Sequence, residues 1–130
     1  MFEGVEGDII GEHGLYLGGA AGYEIDRHDP AHGSPEEAVV LATSQGMHPD
    51  SYLLVIEDML FTIPDIAASQ SDRVRADMTY LPYANGGAVF AVGSCSWCGS
   101  LSTNDYDNDV SRITGNVLRQ LMVQPPGDRG

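Results

Sequence analysis

Apolar and polar positions alternate too briefly along this chain for long helices until its last third. Gly14-Leu15-Tyr16-Leu17 is a short apolar piece after an acidic lead-in over residues 1–17, and reads as a strand running into a glycine loop. Pro30 and Gly33-Ser34-Pro35 break any regular element. Ala38 to Thr43 is an apolar run of the length of a buried strand. A loop follows over 44–50, then a second strand candidate, Ser51 to Asp58, which Met59 to Pro64 extends or turns. Asp65 to Arg73 is small and polar and reads as a loop. Val74 to Tyr83 and Ala88 to Gly93 form a hairpin through Asn85-Gly86-Gly87, because Asn-Gly accepts the positive backbone dihedrals of a tight turn. The hairpin reads as an edge, with Val89 to Val92 its more buried arm. Gly93 to Asp109 is a long loop carrying Trp97. From Asn108 the period becomes helical: Val110, Ile113, Val117, Leu118, Leu121 and Met122 share one face, and Asn108 or Asp109 caps the start. Gly115 costs a helix interior about 1 kcal/mol against Ala, which suggests close packing there.

These elements predict one α/β domain over residues 1–124, with 125–130 a flexible tail. The 130 residues are 42% apolar, enough for a core of its own. Charge narrows the partners. Nineteen acids face six basic residues, all Arg, for a net −13. A field of that sign repels phosphate backbones and anionic membranes, so nucleic acid and membrane surfaces are not expected partners. Both a salt-rich cytoplasm and a GC-rich genome produce such Lys-free, acidic usage. No run of 18 apolar residues is present, and the first residues carry neither the basic nor the apolar region of a signal peptide. A cytoplasmic setting is expected.

The candidate chemistry lies in Gly18-Gly19-Ala20-Ala21-Gly22-Tyr23-Glu24-Ile25-Asp26-Arg27-His28-Asp29. A loop with almost no side-chain bulk lets a ligand or another strand approach closely, and this one delivers an acidic cluster. Glu24 is the side chain singled out; the competing reading is a surface turn with solvated charges. Asp26 and Arg27 are expected to hold the loop by ion pairs. The pattern is neither GxGxxG nor a P-loop. His28 and His32 are four apart, but Pro30 between them works against a helical metal pair. Ser102 to Asp109 lacks the spacing and terminal Glu of an EF-hand and reads as loop and cap. Ser94 follows a strand as nucleophiles often do, without a GxSxG elbow. Cys95 and Cys98, in Cys-Ser-Trp-Cys, have no second pair for a structural zinc site. Gly99-Ser100 after them is not a helical pattern, so two reduced thiols near a loop are expected.

Four segments in order resemble one family. They are Gly19 to Arg27; Arg75-Ala76-Asp77-Met78; Gly86 to Ser94 continuing to Trp97-Cys98-Gly99-Ser100-Leu101; and Asn104 to Leu118. Together, over roughly residues 8–122, they look like the C-terminal part of the large (beta) subunit of N,N-dimethylformamidase and its relatives. The resemblance implies a partial doubly wound sheet, similar to class I glutamine amidotransferases without their cysteine nucleophile, with a β-hairpin and a C-terminal helix as scaffold. It implies hydrolysis of a small N-substituted amide to an amine and a carboxylic acid. It also implies a mononuclear iron held by two tyrosines and a glutamate, and a general base at Glu24, with Gly22, Tyr23, Asp26 and Arg27 supporting the loop. An unactivated amide needs a Lewis acid to polarise its carbonyl and a base that moves a proton from water to the departing amine. Partial desolvation would suit Glu24 to that work. The family's iron-binding segments lie upstream of the Glu24 position, and no Tyr-Tyr-Glu set here matches them: Tyr16, Tyr23 and Tyr106 are outside the iron motifs. The expectation is a fragment, or a chain whose homo-oligomer or partner carries the metal half, inactive alone. A noncatalytic α/β scaffold or oligomerisation module is the alternative.

Overall fold

Three strands form one antiparallel sheet in the order β1-β2-β3. The computed structural model describes residues 1–15, 18–44 and 73–123. The strand candidates at 51–64, the loop at 65–72, Tyr16, Leu17 and the tail therefore lie outside the described residues. β1 is Val39–Thr43, β2 is Asp77–Pro82 and β3 is Ala88–Ala91. β2 and β3 pair from Thr79↔Ala91 to Pro82↔Ala88. The turn closes as the sequence implies: Tyr83 N–H donates to Gly87 O at 2.8 Å, Gly86 N–H to Tyr83 O at 3.0 Å, and Gly86 has φ +86°. β1 pairs with β2 from Val39↔Tyr80 to Thr43↔Asp77, with a bulge between Val40 and Ala42. A bulge leaves one residue without a pairing partner and bends the strand, and Leu41 and Ala42 both pack against the core.

The expected burial of two strands is corrected. Val39 and Val40 are exposed, and β3 alternates, with Phe90 half-buried and Val89 exposed. An apolar run of strand length does not tell whether both its faces are covered. Among the described residues β1 and β3 are the edges.

The supposed long loop after Gly93 contains a short helix, α1 (Ser96–Ser100), and a 3-10 turn over Thr103–Tyr106. Trp97 accounts for α1. It is buried, and its indole N–H donates to Thr114 Oγ1 at 3.0 Å on α2, the helix Asp109–Met122. Asn108 caps α2 by accepting from Ser111 N–H at 2.9 Å. Val110, Ile113 and Val117 are buried with Ala20, Met78 and Trp97. Full burial of each aliphatic chain contributes about 1.5–3 kcal/mol. Leu118, Leu121 and Met122, assigned by period to one face with these, are exposed. Gly115 is not a close-packing position either: a Cβ there would meet only the end of Arg119, at 3.4 Å and beyond.

The acidic lead-in has no strand over 1–15 and does more than trail. Met1, Phe2, Val5 and Ile10 pack against the core. Asn116 Nδ2 donates to Met1 O and Glu3 O, and Arg112 to Gly4 O. Gly11 N–H donates to Asp109 Oδ2 at 2.8 Å while its carbonyl accepts from Ala20 N–H at 2.8 Å. A Cβ on Gly11 would overlap that of Ala20, so the glycine loop lies directly over this segment. Around Pro30, where no regular element is expected, a single 3-10 turn forms over Pro30–His32. Proline tolerates the first helical position because its missing N–H has no partner there anyway.

Candidate functional site

The loop bearing Glu24 is tied down by residues some 70 positions away. Ser94 Oγ accepts from Gly22 N–H at 2.9 Å and from Ser96 N–H at 3.2 Å, and it donates to the Gly22 carbonyl. Ser94 is buried and wholly engaged by backbone, so the residue that looked like a nucleophile is a clamp. Ile25 pairs with Ser94 in an isolated bridge. Asp26 N–H donates to Gly93 O at 2.9 Å, and Asp26 O accepts from Asp77 N–H at 2.9 Å.

Gly93 is the junction of these strands. Its φ is +65°, and a Cβ would lie 2.6 Å from Asp77 O and 2.9 Å from Asp26 O. Only glycine meets both requirements.

Between these ties Glu24 has φ +54°, in the left-handed region that costs a non-glycine residue on the order of 1–3 kcal/mol. The carbonyl of Glu24 accepts from Cys95 N–H at 3.4 Å, and the Cys95 thiol donates to Glu24 Oε2 at 3.8 Å. Glu24, Tyr23 and Asp26 are exposed. The expected partial desolvation of Glu24 is absent among the described residues. Burial, and next the negative charge of Glu24, push the Cys95 thiol above its ordinary pKa.

The ion pairing differs from expectation. Arg27 pairs with Asp29 at 2.7 Å, while Asp26 ties the loop through its backbone. His32 Nδ1 lies 3.0 Å from the same Asp29 carboxylate, and Arg73 at 3.9 Å. The Arg27 hydrogen bond, with His32 beside it, holds Asp29 below its ordinary pKa against the opposing effect of burial. His28 Nε2 lies 2.9 Å from the Pro35 carbonyl. The histidines thus brace the loop.

One residue of the loop's support carried no distinct signal in the sequence. Asp77 is buried, and its carboxylate accepts from His28 N–H at 2.8 Å, Thr43 Oγ1 at 2.8 Å and Arg75 Nε at 3.1 Å. It joins β1, β2 and the loop. A carboxylate at the head of an apolar strand is the available clue, because a buried charge requires partners.

A cavity of about 650 Å³ opens beside the loop, lined by Ile10, Glu12, Ala20, Thr43, Met78 and Trp97 among others. It shares Gly19 to Ala21 with the glycine loop but not Glu24. Among the described residues no three His, Cys, Asp or Glu side chains converge to hold a metal ion.

The fold and site define an α/β chain that fixes one exposed carboxylate on a small-residue loop against a three-stranded antiparallel sheet. Residues 1–108 match the family described as N,N-dimethylformamidase beta subunit-like, C-terminal. The chain is 45% identical over 130 residues to the N,N-dimethylformamidase beta subunit of Alcaligenes sp, covering 99% of this chain and 17% of that protein. It is 45% identical over 127 residues to the N,N-dimethylformamidase beta subunit of Paracoccus aminophilus, covering 97% of this chain and 16% of that protein. The chain belongs to the N,N-dimethylformamidase beta subunit-like C-terminal family, and it spans about one-sixth of the length of these relatives. Among the described residues no helix is long and apolar enough to cross a membrane.

Proposed function

We propose that this chain is the C-terminal, base-bearing part of a dimethylformamidase-like hydrolase that cleaves a small N-substituted amide to an amine and a carboxylic acid. Glu24 is the general base. The observation that carries this reading is the way Glu24 is held: left-handed backbone, with Gly22 clamped by Ser94 on one side and Asp26 paired to Gly93 and Asp77 on the other. Backbone strain that the surroundings enforce is a signature of functional positions. In the reaction Glu24 takes a proton from the water that attacks the amide carbon. It then gives that proton to the nitrogen as the C–N bond breaks. Gly22, Tyr23, Asp26 and Arg27 position it.

The iron implied by the family is assigned to a segment or partner outside the described residues; among these no cluster of three His, Cys, Asp or Glu side chains forms. The relatives are named as beta subunits, which supports a partner chain. The antiparallel sheet is then the margin of a larger α/β domain of the glutamine amidotransferase-like kind. Glu24→Gln in the assembled enzyme tests the reading. Turnover falls by about 10²–10⁴-fold, with folding, assembly and metal content unchanged. Turnover near that of the unaltered enzyme overturns it. The second reading is a noncatalytic scaffold or oligomerisation module, favoured by exposed Leu118, Leu121 and Met122 on α2; under it the substitution leaves turnover intact.

A further inference from the structure

Two thiols remain outside the amide chemistry. Cys95 and Cys98 are both free and both exposed. Cys95 caps α1 with φ −66° and ψ −26°, and Cys98 lies inside that helix. Helical backbone from one to the other sets their Cα atoms about 5 Å apart. A disulfide accepts Cα separations of roughly 4.4–6.8 Å. The two thiols are reduced, as expected, but the segment after Cys95 is the helix α1 and not a loop.

A second, independent observation concerns the partner of Cys95. Its thiol donates to Glu24 Oε2, and its backbone N–H donates to the Glu24 carbonyl. Besides burial, the Glu24 contact raises the Cys95 pKa. Attack on a disulfide requires a thiolate; with the Cys95 S–H held by the Glu24 carboxylate, Cys98 begins the exchange and Cys95 completes it.

We propose that Cys95 and Cys98 are a reversible dithiol–disulfide pair, oxidised by a small thiol's disulfide, whose closure withdraws the Cys95 S–H from Glu24. The Cys98 thiolate attacks one sulfur of the oxidant; the oxidant's S–S bond breaks, and its first half leaves as a thiolate that takes up the proton Cys98 has lost. Cys95 then passes its proton by way of the Glu24 carboxylate beside it and attacks the Cys98 sulfur. The mixed S–S bond breaks, and the second half leaves as a thiol. Two cysteine thiols are oxidised and one disulfide is reduced to two thiols, so electrons and protons balance. The pair is defined by geometry alone and holds whether or not Glu24 is the base of amide hydrolysis.

The test incubates the purified protein with excess glutathione disulfide at neutral pH, quenches with N-ethylmaleimide, and reads intact mass and linked peptides. The expected result is loss of the mass of two hydrogens and of both labelling sites, a link between Cys95 and Cys98, and full recovery with dithiothreitol. Cys95→Ser is expected to stop at a glutathione adduct on Cys98. Unchanged labelling of both thiols, a wild-type protein that stops at the adduct, or a link joining two copies of the chain would each overturn the proposal. Activity is not the readout, so failure here and failure of the amidase reading are separate results.

Discussion

Gly93→Ala is the substitution whose consequence follows most directly from the structure. The added methyl meets two separate obstacles. At φ +65° an L-residue carries a left-handed penalty of about 1–2 kcal/mol. Its Cβ would also lie 2.6 Å from Asp77 O and 2.9 Å from both Asp77 N and Asp26 O. Those atoms belong to backbone already hydrogen-bonded together, so none can swing aside as a side-chain end would. Overpacking of this kind costs about 1–3 kcal/mol. The sum, about 2–5 kcal/mol, is a large part of the 5–15 kcal/mol typical of a domain. Gly7→Ala is the matched control: φ is +81°, yet nothing lies within 4 Å of its Cβ position, so only the dihedral penalty applies. The assay is urea unfolding of both variants beside the parent. With a slope of about 1–3 kcal/mol per molar, the Gly93→Ala midpoint falls by about 1 M or more, and further than that of Gly7→Ala. Equal losses would refute the close approach of β2 and the Glu24 loop at this glycine.

Other consequences are smaller in scope. Asp77→Ala removes the acceptor of His28 N–H and of Thr43 Oγ1; at about 1–3 kcal/mol for a stranded buried group, stability drops by about 1–3 kcal/mol in the same assay, and an unchanged midpoint would contradict the hub. Gly115→Ala gains helix propensity and brings the new Cβ only into ordinary contact with the end of Arg119, so it raises stability by up to about 1 kcal/mol; a lowered melting temperature would mean that the packing there is tighter. In a Cys98→Ser background, Glu24→Gln removes a charge that raises the Cys95 pKa; the pH profile of Cys95 alkylation then moves to lower pH, and a static profile would deny the contact. Asp29, held low by Arg27, contributes stability that is complete above its unfolded pKa of about 4 and is lost as pH falls through its lower folded value; Asp29→Asn flattens that acid limb, which pH-dependent unfolding reads.

What could be read in the sequence was what neighbours in the chain determine. Asn85-Gly86-Gly87 states a turn by itself, and Asn108 ahead of an apolar period of 3.6 states a helix start; both are present. α1 was hidden because Gly99-Ser100 reads as a breaker and five residues carry little period, while the force that shapes it, Trp97 reaching Thr114, spans 17 positions. The small-residue loop pointed to Glu24, yet its left-handed backbone depends on Ser94, 72 positions from Gly22. Arg27 has charged residues on both sides of it within two positions, and nothing local says that it pairs with Asp29. Asp77 was quoted only as one letter of a motif, since a carboxylate that joins three segments shows its role only once they meet.

The exposure of Glu24 bears on how such a base would work. A carboxylate open to water is solvated, and water competes for every proton it handles; catalytic bases act in sites from which bulk water is excluded. The described residues hold Glu24 firmly but cover it with little besides Cys95. On the proposed reading its loop would be one wall of a site, with the opposite wall supplied by polypeptide beyond these residues. The apolar surfaces agree with that division. Val39, Val40 and Val89 on the edge strands and Leu118, Leu121 and Met122 on α2 are exposed, whereas the core lies where α1, α2 and the first ten residues meet the sheet. In relatives about six times as long, the remaining chain has the length to cover these positions. The same contacts that complete the core would then close the site over Glu24, so assembly and catalysis would depend on one surface.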